Sequence, residues 1–137
     1  MSAKPPHDVQ YLDLADFLVL AGAALDLPPE VLFDKADLGL TESALHAPAG
    51  AIDGVEFYAD LVTKAAVLVI HLAKIHNRPL PDGNKRAAYL VMIEFLARNG
   101  QRFIASDMDA TIDMMVKIAG SEVDQAEVED WIRRQLQ

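Results

Sequence analysis

Two long apolar segments joined by a short polar turn constrain this chain more than any other feature of its sequence. Apolar residues recur at spacings of three and four along residues 55–76, and residues 84–99 are apolar on nearly every side. We expect a helix in each range, with Gly100 ending the second as a left-handed cap residue. Because only residues 77–83 separate these helices, we expect them to pack antiparallel in the centre of the domain.

The remaining sequence also predicts helices, and no convincing alternating strand is present. Thr41 and Ser106 are the N-caps expected from their hydroxyl groups. Only residues 50–54 and 102–105 suggest short extended pieces. The predicted fold class is therefore all-α. The further helices are expected over residues 12–26, 29–35, 41–47, 107–119 and 124–136.

The composition indicates one compact domain over residues 1–137, because 52% of the residues are apolar and 24% are charged. The absence of cysteine excludes disulfides and thiolate metal sites and suits a reducing cytoplasm. The formal net charge of −9 argues against direct binding of nucleic acid, whose phosphates require clustered Lys and Arg. Residues 1–8 have no apolar signal core. The most apolar stretch, residues 65–73, is interrupted by His71 and is too short to span a membrane.

The junction before the second central helix, residues 78–86, predicts a phosphate-binding site. A helix N-terminus exposes unpaired N–H groups and carries about half of a positive elementary charge, so it suits phosphate oxygens. Lys85 and Arg86 lie in the first turn, where each opposes the helix dipole by roughly 0.3–1 kcal/mol. Such a cost is expected where function overrides stability. Asp82, just outside the helix, is the kind of oxygen ligand that Mg²⁺ takes alongside a nucleotide.

A second interpretation of the junction is purely structural. Asp82, Gly83 and Asn84 are residue types common in turns and N-caps, because their side chains or backbone freedom satisfy local hydrogen bonds. On that interpretation the segment caps a helix and binds nothing.

With its helices placed, the chain resembles the Fic/Doc family, and specifically its death-on-curing toxin branch. The signature of that branch is His-x-Phe-x-Asp-x-Asn-Lys-Arg between two central helices, and residues 82, 84, 85 and 86 match it at the right spacing. The likeness covers roughly residues 38–104, with the motif region at residues 73–100. Lys85 favours the toxin branch, because adenylylating members usually have glycine there. Tyr89, where those members typically carry a second arginine, favours it too.

The resemblance implies an all-α fold that binds a nucleotide such as ATP at the junction. Asp82 would be the Mg²⁺ ligand, while Gly83, Asn84, Lys85 and Arg86 would line the anion pocket. Members transfer AMP or a phosphoryl group to a protein hydroxyl, and the toxin branch is linked with phosphorylating a translation factor. This chain has no Ser/Thr-x-x-x-Glu-Gly/Asn inhibitory segment, so by analogy a separate antitoxin would inhibit it.

The chain departs from the signature at Arg78, which occupies the position of the catalytic histidine, and at Leu80, which replaces the phenylalanine. A guanidinium stays protonated and cannot accept the proton of the target hydroxyl, although it could still bind phosphate. His76 is a weaker alternative base; it also fits the C-terminal end of the first central helix, where an imidazolium is favourable. His71 is expected to be a core or edge residue.

Three functional hypotheses follow from the sequence. The first is an attenuated Doc-like transferase, and the second is a catalytically inactive homologue that binds nucleotide or antitoxin. The third is a helical interaction module in which residues 82–84 only cap a helix. Arg78 is either an inactivating change, selected because an active toxin arrests growth, or the residue of a natural variant.

Overall fold

A computed structural model describes residues 8–74 and 79–137, and within them the predicted all-α fold is confirmed. The only sheet among these residues is a hairpin with two residues in each strand. No helix among them has the length and apolarity needed to cross a membrane. The elements are α1 (Leu14–Leu25), α2 (Pro29–Lys35), α3 (Leu38–His46), a 3₁₀ turn (Ala47–Ala49), β1 (Ala51–Ile52), β2 (Val55–Glu56), α4 (Leu61–Ala73), α5 (Asn84–Arg98), α6 (Met108–Ala119) and α7 (Gln125–Gln135).

Helices α4 and α5 form the centre of the core. Their packed side chains include Leu68 and Leu72 of α4 and Phe95 of α5, each at most 2% exposed. Full burial of a side chain of this size contributes roughly 1.5–3 kcal/mol. Ala73 ends α4 and Asn84 begins α5, and both line the same cavity, so the two helices run antiparallel as expected. This arrangement places the start of α5 at one end of the helix pair.

Helices α1 and α7 each pack against a different member of the central pair. The α1 side is held by an ion pair between Arg98 and Asp16 at 3.2 Å, and α1 packs mainly against α5. The α7 side packs against α4, where the Thr63 hydroxyl donates to Glu129 at 3.0 Å. With α4 and α5 covered in this way, the junction before α5 is attached to a packed core.

The prediction of a helix over residues 55–76 was wrong at its start. Helix α4 begins at Leu61, after the N-cap Asp60, and the hairpin β1–β2 occupies the chain before it. Asp53 and Gly54 have φ values of 51° and 78°, as the two central residues of a tight hairpin turn require. Phe57 fits the helical spacing but lies outside the helix, and its N–H donates to the Gly50 carbonyl at 2.9 Å. The predicted end of this helix, residues 75–76, lies outside the described residues.

Two predicted N-caps were also wrong, because an aspartate takes each role. Helix α3 begins at Leu38 with Asp37 as its cap, and Thr41 lies inside it with its hydroxyl donating to the Asp37 carbonyl at 2.7 Å. Helix α6 is capped by Asp107, which accepts from the Asp109 N–H at 3.0 Å, whereas Ser106 contacts Gln135. A carboxylate is a stronger acceptor than a hydroxyl for the exposed N–H groups of a first turn.

A buried lysine fastens the hairpin to the core. Lys64, on α4, is 0% exposed, and its Nζ donates to Glu56 Oε1 at 2.7 Å and to the Pro48 carbonyl at 3.1 Å. Burial alone would lower the pKa of Lys64, but hydrogen bonds with Glu56 and Tyr11 outweigh it and raise the pKa.

Candidate functional site

The turn that precedes α5 is held by side-chain and backbone hydrogen bonds. The Asn84 side chain folds back on Leu80, accepting its N–H at 3.0 Å and donating to its carbonyl at 2.8 Å. On the other side, the Pro79 carbonyl accepts the Asp37 N–H at 2.7 Å, which ties the turn to the start of α3. Leu80 itself is 2% exposed. The Asn84 side chain, predicted to line the anion pocket, therefore also holds the shape of the turn.

Gly83 gives the turn its direction and is in close contact with α1. Its φ of +80° lies in the left-handed region that favours glycine. A Cβ atom at this position would overlap the Leu25 side chain, approaching Leu25 Cδ1 to 2.8 Å. The end of α1 is thus packed directly against the residue that precedes the first turn of α5.

The N-terminus of α5 is left open, which the structural interpretation of the junction does not predict. Asp82 accepts the Gly83 N–H at 2.8 Å and no N–H of the first helical turn. Within α5 the backbone bonds start with Ala87 donating to the Gly83 carbonyl, so the N–H groups of residues 84–86 have no partner in the described part of the chain. Helix α2, which follows Pro28, also lacks a side-chain cap. By contrast, an aspartate side chain caps each of α1, α3, α4, α6 and α7 (Asp13, Asp37, Asp60, Asp107 and Asp124).

Three charged side chains surround this open helix end. Asp82, Lys85 and Arg86 are exposed, and none of them takes part in the ion pairs found among residues 8–74 and 79–137. The two cations add to the positive potential of the helix N-terminus instead of cancelling it. An anion bound there would therefore meet open N–H groups and two side-chain donors.

Concave space adjoins Asp82 on two sides. A small cavity of about 60 Å³ lies between the end of α4 and the start of α5, and Lys85 lines it. A larger cleft of about 270 Å³ lies toward α1 and α2, and Arg86 lines it. Of the two spaces, Lys85 lines the small cavity and Arg86 lines the cleft, and Asp82 borders both. The predicted site residues 82–86 are therefore brought together at one concave surface.

An apolar groove of about 240 Å³ continues from the site along α6. Lys85, Arg86 and Tyr89 form one wall, and the other wall is a row of α6 side chains at helical spacing. In this row Met108, Ile112 and Val116 are about half exposed. Burial raises the pKa of Tyr89. The groove offers a path by which a polypeptide could reach the start of α5.

Comparison with known proteins agrees with this geometry. Residues 8–96 match the model of the Fic/DOC family. The chain belongs to this family. It is also 35% identical over 116 residues to the protein named Toxin Doc of Mycolicibacterium smegmatis, a match that covers 84% of this chain and 85% of that protein. The Fic/DOC match includes the turn and the first turns of α5.

Two predicted site residues of this Fic/DOC chain, Arg78 and His76, lie outside the described residues. His71 lies on α4, partly buried, with Nδ1 2.8 Å from the Val67 carbonyl, in keeping with its expected place at the edge of the core. Two side chains at the site, Leu25 and Lys35, were missed by sequence reasoning. Lys35, the last residue of α2, lines the larger cleft with Asp82, and no motif in the sequence indicates this proximity.

Asp82, the one carboxylate at the site among the described residues, is of the kind that Mg²⁺ takes as a ligand. Mg²⁺ is usually held by one or two carboxylates, with waters and phosphate oxygens completing its six ligands. Asp82 is exposed, and its Oδ2 accepts no hydrogen bond from the described residues. No group of three or more His, Asp or Glu side chains that could hold a metal is found within those residues, so they offer no cage made of protein ligands alone.

Proposed function

We propose that this chain is a Doc-like toxin of a toxin–antitoxin system. It would transfer a phosphoryl group, or AMP, from ATP or another nucleoside triphosphate to a hydroxyl group of a protein. Membership of the Fic/DOC family and the similarity to Toxin Doc support this proposal. The observation that carries it is the open N-terminus of α5, with Lys85, Arg86 and Asp82 around it and no capping side chain from the described residues. The proposed target is a cytoplasmic protein, such as a translation factor.

In this proposal the start of α5 binds the phosphates. The N–H groups of residues 84–86 and the side chains of Lys85 and Arg86 donate to phosphate oxygens, and Gly83 lets the backbone approach them. Asp82 would hold Mg²⁺, which neutralises charge on the phosphates. Most of the catalytic effect then comes from positioning and charge stabilisation, as is usual in phosphoryl transfer.

The residue at position 78 determines how fast the transfer can be. In the phosphoryl reaction the target oxygen forms a bond to the terminal phosphorus, and the bond to the bridging oxygen breaks to release a nucleoside diphosphate. For AMP transfer, the attack is on the first phosphorus and pyrophosphate leaves. The hydroxyl proton needs an acceptor, and Arg78 is not one. General-base catalysis contributes about 10²–10⁴-fold, so we propose an attenuated enzyme, with the proton passing to solvent or to His76.

The second candidate function is a catalytically inactive Fic/DOC protein that binds nucleotide or antitoxin. The presence of Arg78 at the histidine position favours it. The transferase and a nucleotide-binding inactive homologue require an anion site at α5. An inactive homologue that binds only antitoxin does not, and neither does the third hypothesis, a helical interaction module.

A separate antitoxin is part of either proposal. We assign it to the apolar groove along α6, because an amphipathic helix could cover Met108, Ile112 and Val116 with apolar side chains. An acidic residue at one end of such a helix would complement Lys85 and Arg86 and compete with the nucleotide phosphates. The antitoxin would then inhibit by occupying the start of α5.

Calorimetry with Mg–ATP tests the anion site. We expect the unmodified protein to bind Mg–ATP and binding to be lost in Asp82→Ala and Lys85→Ala. The matched control is Lys117→Ala, which removes one lysine on α6 that is paired with Asp113 and outside the cavities next to Asp82. No binding by the unmodified protein would refute the transferase and the nucleotide-binding homologue, and would leave the antitoxin-binding homologue and the interaction module.

Growth arrest tests catalysis. We expect expression of Arg78→His to arrest growth, because histidine supplies the missing proton acceptor, and the double variant Arg78→His with Asp82→Ala to be harmless. A second readout is the transfer of ³²P to a protein from ATP labelled at the α or γ position. If Arg78→His binds Mg–ATP normally but neither arrests growth nor labels a protein, the chain is a catalytically inactive homologue.

A further inference from the structure

A third cation lies beside the candidate site, in the larger cleft. Lys35 and Arg86 both line this cleft of about 270 Å³, and Asp82 of the turn lines it too. Its remaining lining is apolar and includes Leu25, Leu27 and Leu80. The cleft thus combines two positive side chains, one carboxylate and a wall of leucines.

The backbone of Lys35 is held near the turn by the packing of α2 and by a nearby hydrogen bond. This lysine is the last residue of α2, whose Leu32 is only 2% exposed and anchors the helix in the core. Two residues after Lys35, the Asp37 N–H donates to the Pro79 carbonyl at 2.7 Å. The end of α2 is therefore bound to the same turn that carries Asp82, so the position of Lys35 relative to the site is set by the fold.

The charge arrangement in this cleft favours an anionic ligand. The whole chain has 21 acidic and 12 basic residues, yet neither Lys35 nor Arg86 forms an ion pair with a carboxylate among residues 8–74 and 79–137. Even with the Asp82 carboxylate counted, the described residues that line the cleft include two cations and one anion, so their net positive charge favours an anionic ligand. The dipole of α2 favours a lysine at its C-terminus, but this does not explain why Arg86 faces the same space.

Volume distinguishes the cleft from the small cavity, and the Asp82 carboxylate distinguishes it from the groove along α6. The cavity of about 60 Å³ beside Lys85 is large enough for one phosphate group but not for a nucleoside. The groove along α6 has an apolar wall made of Met108, Ile112 and Val116. The cleft at Lys35 and the groove along α6 are similar in volume, both near the lower end of ligand pockets (roughly 300 Å³), and both combine cations with apolar side chains. Of these two spaces, the cleft is the one that Asp82 also borders, so donors, a carboxylate and an apolar wall meet there.

We propose that Lys35 is a further nucleotide-binding residue of this protein, and that the cleft between α2 and the turn holds the part of the nucleoside triphosphate that extends beyond the start of α5. The Lys35 ammonium group contacts phosphate oxygens from the side opposite to Lys85, and the base lies against Leu27. This inference rests on the proposed function, because it extends the same nucleotide site.

Calorimetric titrations with Mg–ATP and with magnesium tripolyphosphate test the inference. Lys35→Met removes the charge and keeps the side-chain length, and we expect it to raise the Kd of both ligands about three- to tenfold. Lys35→Arg should bind as the unmodified protein does. The matched control, Lys117→Met on α6, makes the same change of net charge and should leave both Kd values unchanged.

Two further measurements distinguish binding of the phosphates from binding of the base: the salt dependence of Lys35→Met and the effect of Leu27→Ala. For Lys35→Met, the rise of the Kd with salt concentration should become less steep, because one ionic contact is lost. Leu27→Ala should weaken ATP binding and leave tripolyphosphate binding unchanged, since Leu27 contacts only the base.

The outcomes distinguish this inference from the proposed function. If the unmodified protein fails to bind Mg–ATP, both are refuted. If it binds, and Lys35→Met and Lys117→Met have equal affinities, the proposed function stands and the role of Lys35 is refuted. A lower melting temperature of Lys35→Met without any change in Kd would likewise overturn the inference, because it would show that Lys35 only stabilises the end of α2.

Discussion

Replacing Gly83 with alanine tests whether the turn is held between α1 and α5. Gly83 has a φ of +80°, and a Cβ atom there would meet the end of the Leu25 side chain, with Cδ1 at 2.8 Å. Gly100 provides the matched control, because its φ is +83° and nothing lies within 4 Å of the Cβ position. Both substitutions add the same atom to the same backbone conformation. Only Gly83→Ala also forces Leu25 to move.

The difference between these two variants isolates the contact with Leu25. A left-handed φ costs an L-residue about 1–2 kcal/mol, and we expect this loss of stability in both variants. Extra volume against packed side chains typically costs about 1–3 kcal/mol, and the lower half of that range applies because Leu25 is only half-buried and its end can rotate. Gly83→Ala should therefore reduce the free energy of unfolding by about 2–4 kcal/mol and Gly100→Ala by about 1–2 kcal/mol.

Urea denaturation followed by circular dichroism measures both values. In a Leu25→Ala background the overlap is removed, and the cost of Gly83→Ala should fall to that of Gly100→Ala. Gly83→Ala should also weaken Mg–ATP binding, because Leu25 lines the cleft beside Asp82. Equal destabilisation by the two glycine substitutions in the unmodified background would contradict the contact between α1 and the turn.

Three further changes test the turn, the α1 cap and the groove. Asn84→Ala removes two hydrogen bonds and should cost about 1–2 kcal/mol of stability while weakening Mg–ATP binding in calorimetry. Asn99→Ala, at the other end of α5, should cost stability without changing the Kd. A hydrogen bond from the Asp13 backbone outweighs burial and lowers the pKa of Asp16 below its ordinary value of 3.8. The stabilising effect of the Asp16 carboxylate is therefore complete above about pH 3.8 and is lost as the pH falls through the lowered pKa. In urea titrations, the difference in free energy of unfolding between the unmodified protein and Asp16→Asn should therefore shrink in that pH window. In the Arg78→His background, which is expected to arrest growth, Ile112→Asp should abolish neutralisation by the antitoxin, whereas Val19→Asp, of similar exposure, should not.

Each of these outcomes has a clear contrary result. If Asn84→Ala and Asn99→Ala weaken nucleotide binding equally, the effect of Asn84 is one of general stability and not of turn geometry. If the difference in free energy of unfolding between the unmodified protein and Asp16→Asn stays constant down to strongly acidic pH, the Asp16 carboxylate is not stabilised in the folded state. Neutralisation of Ile112→Asp by the antitoxin would remove the groove from the proposed interface.

The existence of the helices could be predicted from the sequence, but some of their boundaries could not. Apolar periodicity reports which side chains face the core, and it identified α4 and α5. It does not report backbone dihedral angles, so Phe57 was placed in a helix because its spacing happened to fit. The Asp53–Gly54 pair was the signal for a tight turn, and it was outweighed by the apolar pattern that follows it. Likewise, Thr41 was predicted as an N-cap, whereas the Asp37 carboxylate four residues earlier caps the helix.

The candidate site was predictable only where its residues are adjacent in the chain. Residues 82–86 were identified because a turn, a carboxylate and two cations coincide at a helix start. Leu25 and Lys35 reach the site from α1 and α2 by tertiary packing, and nothing in their local sequence marks them. The second role of Asn84 was also hidden, because a hydrogen bond to Leu80 depends on the shape that the turn adopts.

The way the turn is held also bears on the chemistry at position 78. Its shape depends on the Asn84 side chain, on the bond from Asp37 to Pro79 and on the contact of Gly83 with Leu25, which are all contacts made by residues other than Arg78. If these contacts are sufficient to hold the turn, the side chain at position 78 can be replaced without changing its shape. Arg78→His should therefore leave the melting temperature and the Kd for Mg–ATP nearly unchanged while raising the rate of transfer. A large loss of stability in Arg78→His would show instead that the arginine is a structural part of the turn, and that this chain has diverged from transferase activity in its fold as well as in its proton acceptor.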